Sequence, residues 1–270
     1  MHWTKNVVAW GLVSLLGASA ACSCGGNGGG TPNPGNTDAG TTNPGTVESN
    51  VMKGRAVDSQ GKGLAGVEIT AHNQFQTGTT VKTMTGADGA YRLDVSNPTG
   101  PWLGNATLET TYHGAPYRFT LVPDDSATFA GNVGALRNFT WKLTGAKPDG
   151  GNNGGIVTVY FENFTDPDNP GSIVNDSDVE LTLTPDGPLV DGSAGTTITA
   201  KAEQTTEGYG LPDVAVGRYT IKARYTPQGQ TPRPLLIRVR NTGSYNPTVT
   251  TDFFPLASTA HIIELNVQFP

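Results

Sequence analysis

Apolar side chains at every second position are the feature that most limits what this chain can become. Val67, Ile69 and Ala71 alternate with Glu68, Thr70 and His72, and Tyr91, Leu93 and Val95 alternate with Arg92 and Asp94. Successive side chains leave opposite faces of a strand, so such a segment buries one face and wets the other. The same period returns at Val179/Leu181/Leu183, at Tyr219/Ile221/Ala223/Tyr225 and at Ile263/Leu265/Val267/Phe269. Beyond the N-terminus no extended window keeps the 3.6-residue period of an amphipathic helix. The expectation is an all-β protein built as two antiparallel β-sandwich domains.

Composition agrees and narrows the function classes. The chain has 270 residues, room for one large or two ordinary domains. With 36 Gly, 19 Pro and only 15% charged residues, it favours strands joined by tight turns over helix bundles. A formal net charge of -6 argues against binding nucleic acid, whose phosphates need a positive surface. The two cysteines, Cys22 and Cys24, stand too close together to bridge distant strands. The folded body must therefore be held by its cores.

The N-terminus reads as an address. Lys5 precedes a mostly apolar run at 7–16, and small residues fill 17–21. This is the layout of a secretory signal over 1–21, too short to span a bilayer. Cys22 follows directly. Small residues before a cysteine resemble a bacterial lipobox, which implies cleavage before Cys22 and its acylation. Ser19 stands where that motif usually has Leu, so an ordinary signal cut near Ala20 or Ala21 stays open. Residues 22–50 carry Gly, Pro, Asn and Thr with almost no apolar side chains, the composition of a disordered tether. Its mean span would be roughly 30 Å. Ser23 after the cysteine resembles outer-membrane sorting. The expected location is across the inner membrane, lipid-anchored at the outer membrane or cell surface, with the membrane as first partner.

The body divides at a Gly/Asn-rich stretch, 146–155, into 51–145 and 156–270. In the first part, G-x-x-V-D-x-x-G-x-x-L-x-G-V-x-I over 54–69 and T-x-x-D-G-x-Y-x-L over 85–93 resemble the carboxypeptidase regulatory-like domain. The resemblance covers about a third of the chain. It implies a transthyretin-like sandwich of about seven strands and a non-catalytic accessory module. Strands are expected in the second part at 156–162, 178–184, 196–203, 217–225, 235–240 and 260–269. The segment 211–225 is similar to the turn-and-strand of the first domain.

No cofactor, metal site or catalytic set is expected. His261 and Glu264 match the H-x-x-E spacing of zinc carboxypeptidases, but residues three apart in a strand face opposite sides. His72 and His113 fall on a solvent face and in a turn. The acidic loop from Asp166 to Asp178 has Pro170 and Ser177 where an EF-hand needs ligands; turn capping is the plainer account, with a loose calcium site as the alternative. Two features point to ligands. Arg218, Lys222, Arg224, Arg238 and Arg240 would share one basic face if 217–225 and 235–240 form a hairpin, suiting a polysaccharide, a lipid headgroup or an acidic surface protein. Against this, Glu180 and Glu203 would balance them across neighbouring strands. Trp102, expected in a loop, would stack on a sugar ring or else plug the end of a sandwich. The expected function is a structural or adhesive surface module. A carbohydrate-binding module is the alternative, and a metal-dependent hydrolase the least supported.

Overall fold

The computed structural model describes residues 45–270. The proposed signal, the Cys22 site and nearly all of the tether lie outside the described residues. The described chain is all-β, with one 3-10 turn and no α-helix.

The first half contains β1 (Val51–Val57), β2 (Glu68–Asn73), β3 (Thr80–Met84), β4 (Ala90–Asp94) and β5 (Pro101–Tyr112). Then come β6 (Ala115–Thr120), β7 (Val122–Pro123), β8 (Phe129–Ala130), β9 (Ala135–Leu136) and β10 (Phe139–Thr140). One sheet runs β4-β1-β10-β7 with β9 also on β1; the other runs β3-β2-β5-β6 with β8 on β5. The alternation places Met52, Tyr91 and Leu93 from the first sheet and Ile69, Ala106 and Phe119 from the second in the core. Gly104 of β5 lies directly on Met52 and Phe139 of the facing sheet, so the two layers touch through a residue with no side chain. Pairing is not wholly antiparallel: β1 is parallel to β9 and β10. Those short strands return after a crossing from the other sheet, which reverses their direction.

The turn at 86–89 sets the register of β4 on β1, with Arg55 opposite Ala90 and Val51 opposite Asp94. Gly89 has φ +81°, a left-handed conformation that glycine adopts without steric cost. A Cβ on Gly63 would overlap the Asp88 carbonyl. Gly63→Ala is therefore expected to push the turn away and cost about 1–3 kcal/mol. Urea unfolding checks this against a second alanine placed at Lys62, which is exposed.

The second half contains β11 (Gly155–Phe161), β12 (Thr165–Asp166), β13 (Asn169–Ile173), a 3-10 turn (Asp176–Asp178), β14 (Val179–Pro185), β15 (Ile198–Lys201) and β16 (Glu203–Thr205). It continues with β17 (Gly208–Val214), β18 (Arg218–Tyr225), β19 (Arg233–Val239), β20 (Val249–Asp252), β21 (Phe254–Ala257) and β22 (Ala260–Gln268). Its main sheet runs β15-β14-β18-β19-β22-β11-β17-β16, with β20 on β18 and β21 on β22. The two ends of that order, β15 and β16, are separated in sequence only by Ala202. One stretch of chain thus pairs first with β14 and then with β17. β19 does the same opposite: Arg233–Leu235 pair with β18, and Leu236–Val239 pair with β22. Two strands that change partner fold the sheet over its own core of Val159, Leu181, Leu183, Ile221, Ile237 and Leu265. The two ends of the order are short strands, β15 of 4 residues and β16 of 3, which leave little template on which another chain could add a strand.

No named strand of one half pairs with a strand of the other. Side chains make the junction. Tyr112 donates its hydroxyl to the Pro188 carbonyl at 2.7 Å and accepts from the Arg218 N–H at 3.1 Å. The Tyr117 hydroxyl donates to the Phe253 carbonyl at 2.5 Å. The buried apolar residues of both halves form one contiguous cluster, and residues 43–270 form one compact unit.

Candidate functional site

The five basic residues expected on one face are spread apart and largely neutralised. Because β18 meets β19 only at 223–225, Arg238 falls on the part of β19 that pairs with β22, and Arg240 just beyond it. Arg218 donates to Asp252 at 2.7 Å and to Asp186 at 3.2 Å. Arg224 pairs with Glu180, which stands directly opposite it on β14. Arg238 pairs with Glu162 at 3.3 Å beneath the Tyr245 ring. Arg240 pairs with Glu264 at 2.5 Å and lies over Tyr160. Of the five, only Lys222 has no ion partner among the described residues. Glu203 lies on β16, away from this set. Such half-exposed pairs contribute up to about 1 kcal/mol each. A contiguous basic docking face is not what these residues form.

Trp102 is corrected as well. It is the second residue of β5, not a loop residue, and it has no exposed surface. The strand begins at Pro101 and so includes Trp102, whose parity is that of the buried Ala106 and Leu108 and turns the indole inward. A ring with no exposed face cannot stack on a sugar.

The histidines separate widely. His72 bonds Thr80 across β2–β3 at 2.8 Å. His113 occupies the β5–β6 turn with φ +48° and meets Asp252 at 2.7 Å. His261 is a strand-end residue, the second of β22, and it is buried. It lies 4% exposed near the start of β22, its ring 5.3 Å from Tyr117 and 4.8 Å from Phe119 of the other half. Desolvation, helped by the Lys147 charge, lowers its pKa to about 4, so the ring is neutral near pH 7. Burial likewise pushes the Tyr117 phenol up to about 12. Glu264 turns the other way, toward Arg240, as strand parity requires. Among the described residues no group of three or more His, Cys, Asp or Glu side chains is placed to hold a metal ion.

The acidic loop is a built object. β12 and β13 form a two-stranded hairpin that pairs with no other sheet. Arg233 holds it down, donating to Asp166 at 2.5 Å and pairing with Asp168, while its guanidinium lies 4.5 Å over Phe269. The hydrogen bond from Arg233 keeps the Asp166 carboxyl below the usual carboxylate range. Further on, burial raises the pKa of Asp176, which accepts from the Phe161 N–H. Sequence reasoning missed Arg233, although Arg-Pro-Leu-Leu-Ile from 233 to 237 opens a strand. The hairpin carries Phe164 and Ile173, 73% and 70% exposed.

A cleft of about 420 Å³ opens beside the junction, with Lys147, Gln204, Thr205, Leu256 and His261 among its walls. Among the described residues no carboxylate lines it. No helix among the described residues is long and apolar enough to cross a membrane.

No family model matches this chain, and no curated protein matches it. Several solved structures do. The Bacillus anthracis TIE protein is 14% identical with a TM-score of 0.35, the match covering 82% of this chain and 33% of that one. A C-terminal fragment of the pilus adhesin SpaC from Lactobacillus rhamnosus GG is 14% identical with a TM-score of 0.26, covering 80% and 96%. The Streptococcal ancillary pilin is 11% identical with a TM-score of 0.23, covering 82% and 62%. The chain spans about a third of the length of the first of these. Likenesses this distant carry no argument about function.

Proposed function

We propose that this chain is a non-catalytic binding module displayed at a bacterial cell surface, tethered by a lipid on Cys22. The address-like N-terminus and the tether composition support the anchor. The first half is read as an accessory sandwich of the carboxypeptidase regulatory-like kind, on the motifs at 54–69 and 85–93. The observation that carries the adhesive role is the hairpin β12–β13. It pairs with no other strand, is clamped by Arg233, and holds two large apolar side chains in water. A rigid projection with an exposed aromatic is suited to seating in a protein partner, since its ordering cost is met before contact. Cells displaying the full chain should adhere to surface protein from neighbouring cells. A Phe164→Ser, Ile173→Ser double variant should lose most of that adhesion while melting as the parent does. Unchanged adhesion would overturn the hairpin's role, and an unmodified Cys22 in mass spectra of the mature chain would overturn the anchor.

Carbohydrate binding is a second reading. The cleft at the junction favours it now that Trp102 is buried.

A further inference from the structure

The cleft beside the junction reverses the electrostatic sign of its surroundings. The chain as a whole carries a formal net charge of -6, and Arg218, Arg224, Arg233, Arg238 and Arg240 each have a carboxylate partner. Lys147 differs. It lines the cleft, and no carboxylate lies within ion-pair distance of it among the described residues. An uncompensated ammonium in a carboxylate-free recess attracts an anion, and the recess walls strengthen that attraction by excluding water.

The floor points the same way. His261 is more than nine-tenths buried, lines the cleft, and has no hydrogen-bond partner among the described residues. Its neutral ring offers one N–H donor and one acceptor. The ring nitrogens are not among the sealed, unsatisfied polar atoms of the interior, so they meet solvent at the bottom of the recess, where a ligand can replace that water. Around these two residues stand Gln204, whose amide nitrogen donates to the Thr205 carbonyl at 3.1 Å and leaves its oxygen to accept, the hydroxyl of Thr206, and the apolar side of Leu256, while the Thr205 hydroxyl is spent on the Gly208 carbonyl at 2.7 Å. Hydroxyl and amide groups match a polyhydroxylated ring, an apolar patch matches its C–H face, and the ammonium matches a carboxylate.

We infer that this cleft binds a uronate, a sugar ring bearing a carboxylate, with Lys147 holding the acid and His261 hydrogen-bonding a ring hydroxyl. The inference rests on the carbohydrate reading of the function and is independent of the hairpin, which touches none of these residues.

Calorimetric titration of the full chain with methyl glucuronide, methyl glucoside and acetate tests it. The glucuronide should bind at least roughly tenfold more tightly than either of the others, the scale of one charge-assisted contact. Lys147→Gln should weaken the glucuronide by roughly tenfold and leave the glucoside unchanged. His261→Phe should weaken both sugars and not acetate. Equal binding of glucuronide and glucoside overturns the charge argument, and acetate matching the glucuronide overturns the sugar. No heat with any of the three overturns the site. Lys147 is partly exposed and makes no ion pair, so the melting temperature of Lys147→Gln should equal the parent's; a drop of several degrees would assign Lys147 a structural role and overturn its role as a ligand. Adhesion through the hairpin persists or fails separately in each case.

Discussion

Trp102→Ala should cost about 3–5 kcal/mol, the usual penalty for truncating a large buried aromatic. A domain's whole stability is commonly about 5–15 kcal/mol, so this one truncation should remove a large share of it. The indole has no exposed surface and heads the largest fully buried side chains. It pairs with Asn73 on one side and Phe129 on the other, in a strand bonded along both edges. Gly131 packs against the ring itself, where a Cβ would fall 2.8 Å from Nε1. The cavity left by alanine would therefore be walled by backbone, which collapses poorly. Trp102→Phe should recover most of the loss. The indole N–H has no hydrogen-bond partner, so phenylalanine gives up volume and no bond. Chemical denaturation followed by tyrosine fluorescence and far-ultraviolet dichroism measures both variants. A Trp102→Ala protein with the parent's midpoint would mean that the ring is not in the core.

Trp102 also shows where sequence reading stops. Period two was legible wherever the apolar positions were large: Ile69, Leu93, Leu181, Ile221 and Leu265 all point inward as their parity predicts. Around Trp102 the alternating partners are Gly100 and Gly104, which have no side chain to mark a face. The strand was invisible for that reason, and a buried tryptophan read as a loop residue. Arg233 was missed for another. Its role depends on Asp166 and Asp168, more than sixty residues earlier in sequence, and spacing along a chain carries no signal for a contact made by folding. The basic residues failed in a third way. The hairpin that would gather them forms only at 223–225, and register decided their neighbours. Glu180 stands opposite Arg224 because β14 pairs antiparallel with β18 in one alignment out of several. The cleft belongs to this last class. Lys147, Gln204 and His261 come from a linker, a short strand and the final strand, and only the folding-over of the second sheet brings them together.

Acid should weaken the fold in a window that one residue defines. His261 titrates near 4 in the folded chain against an ordinary value of 6.5, because burial disfavours its charged form. Above about pH 6.5 the ring is neutral whether the chain is folded or not, and its contribution to stability is complete. As pH falls from 6.5 toward 4, the unfolded chain takes up a proton that the folded chain refuses, and stability declines. At about 1.4 kcal/mol per unit the loss approaches roughly 3 kcal/mol by pH 4. Carboxylates confuse this window little. Asp166 is held low by Arg233, so its contribution is lost at still lower pH. Asp176 is raised by burial, so it opposes the trend as it protonates. The groups packed on the imidazole are the Tyr117 phenol, which stays neutral across this range, and the Phe119 ring, while the Lys147 charge acts on it through space. His261→Phe keeps a ring between Tyr117 and Phe119 and removes the titration. Its denaturation midpoint should therefore change much less than the parent's between pH 6.5 and 4.5. The two curves should differ at neutrality only by the packing difference between the rings, and the parent should fall away from the variant as pH drops toward 4. Parallel slopes in parent and variant would place the imidazole in water. They would undo the junction between the halves as drawn, because that junction buries His261 against Tyr117 and Phe119.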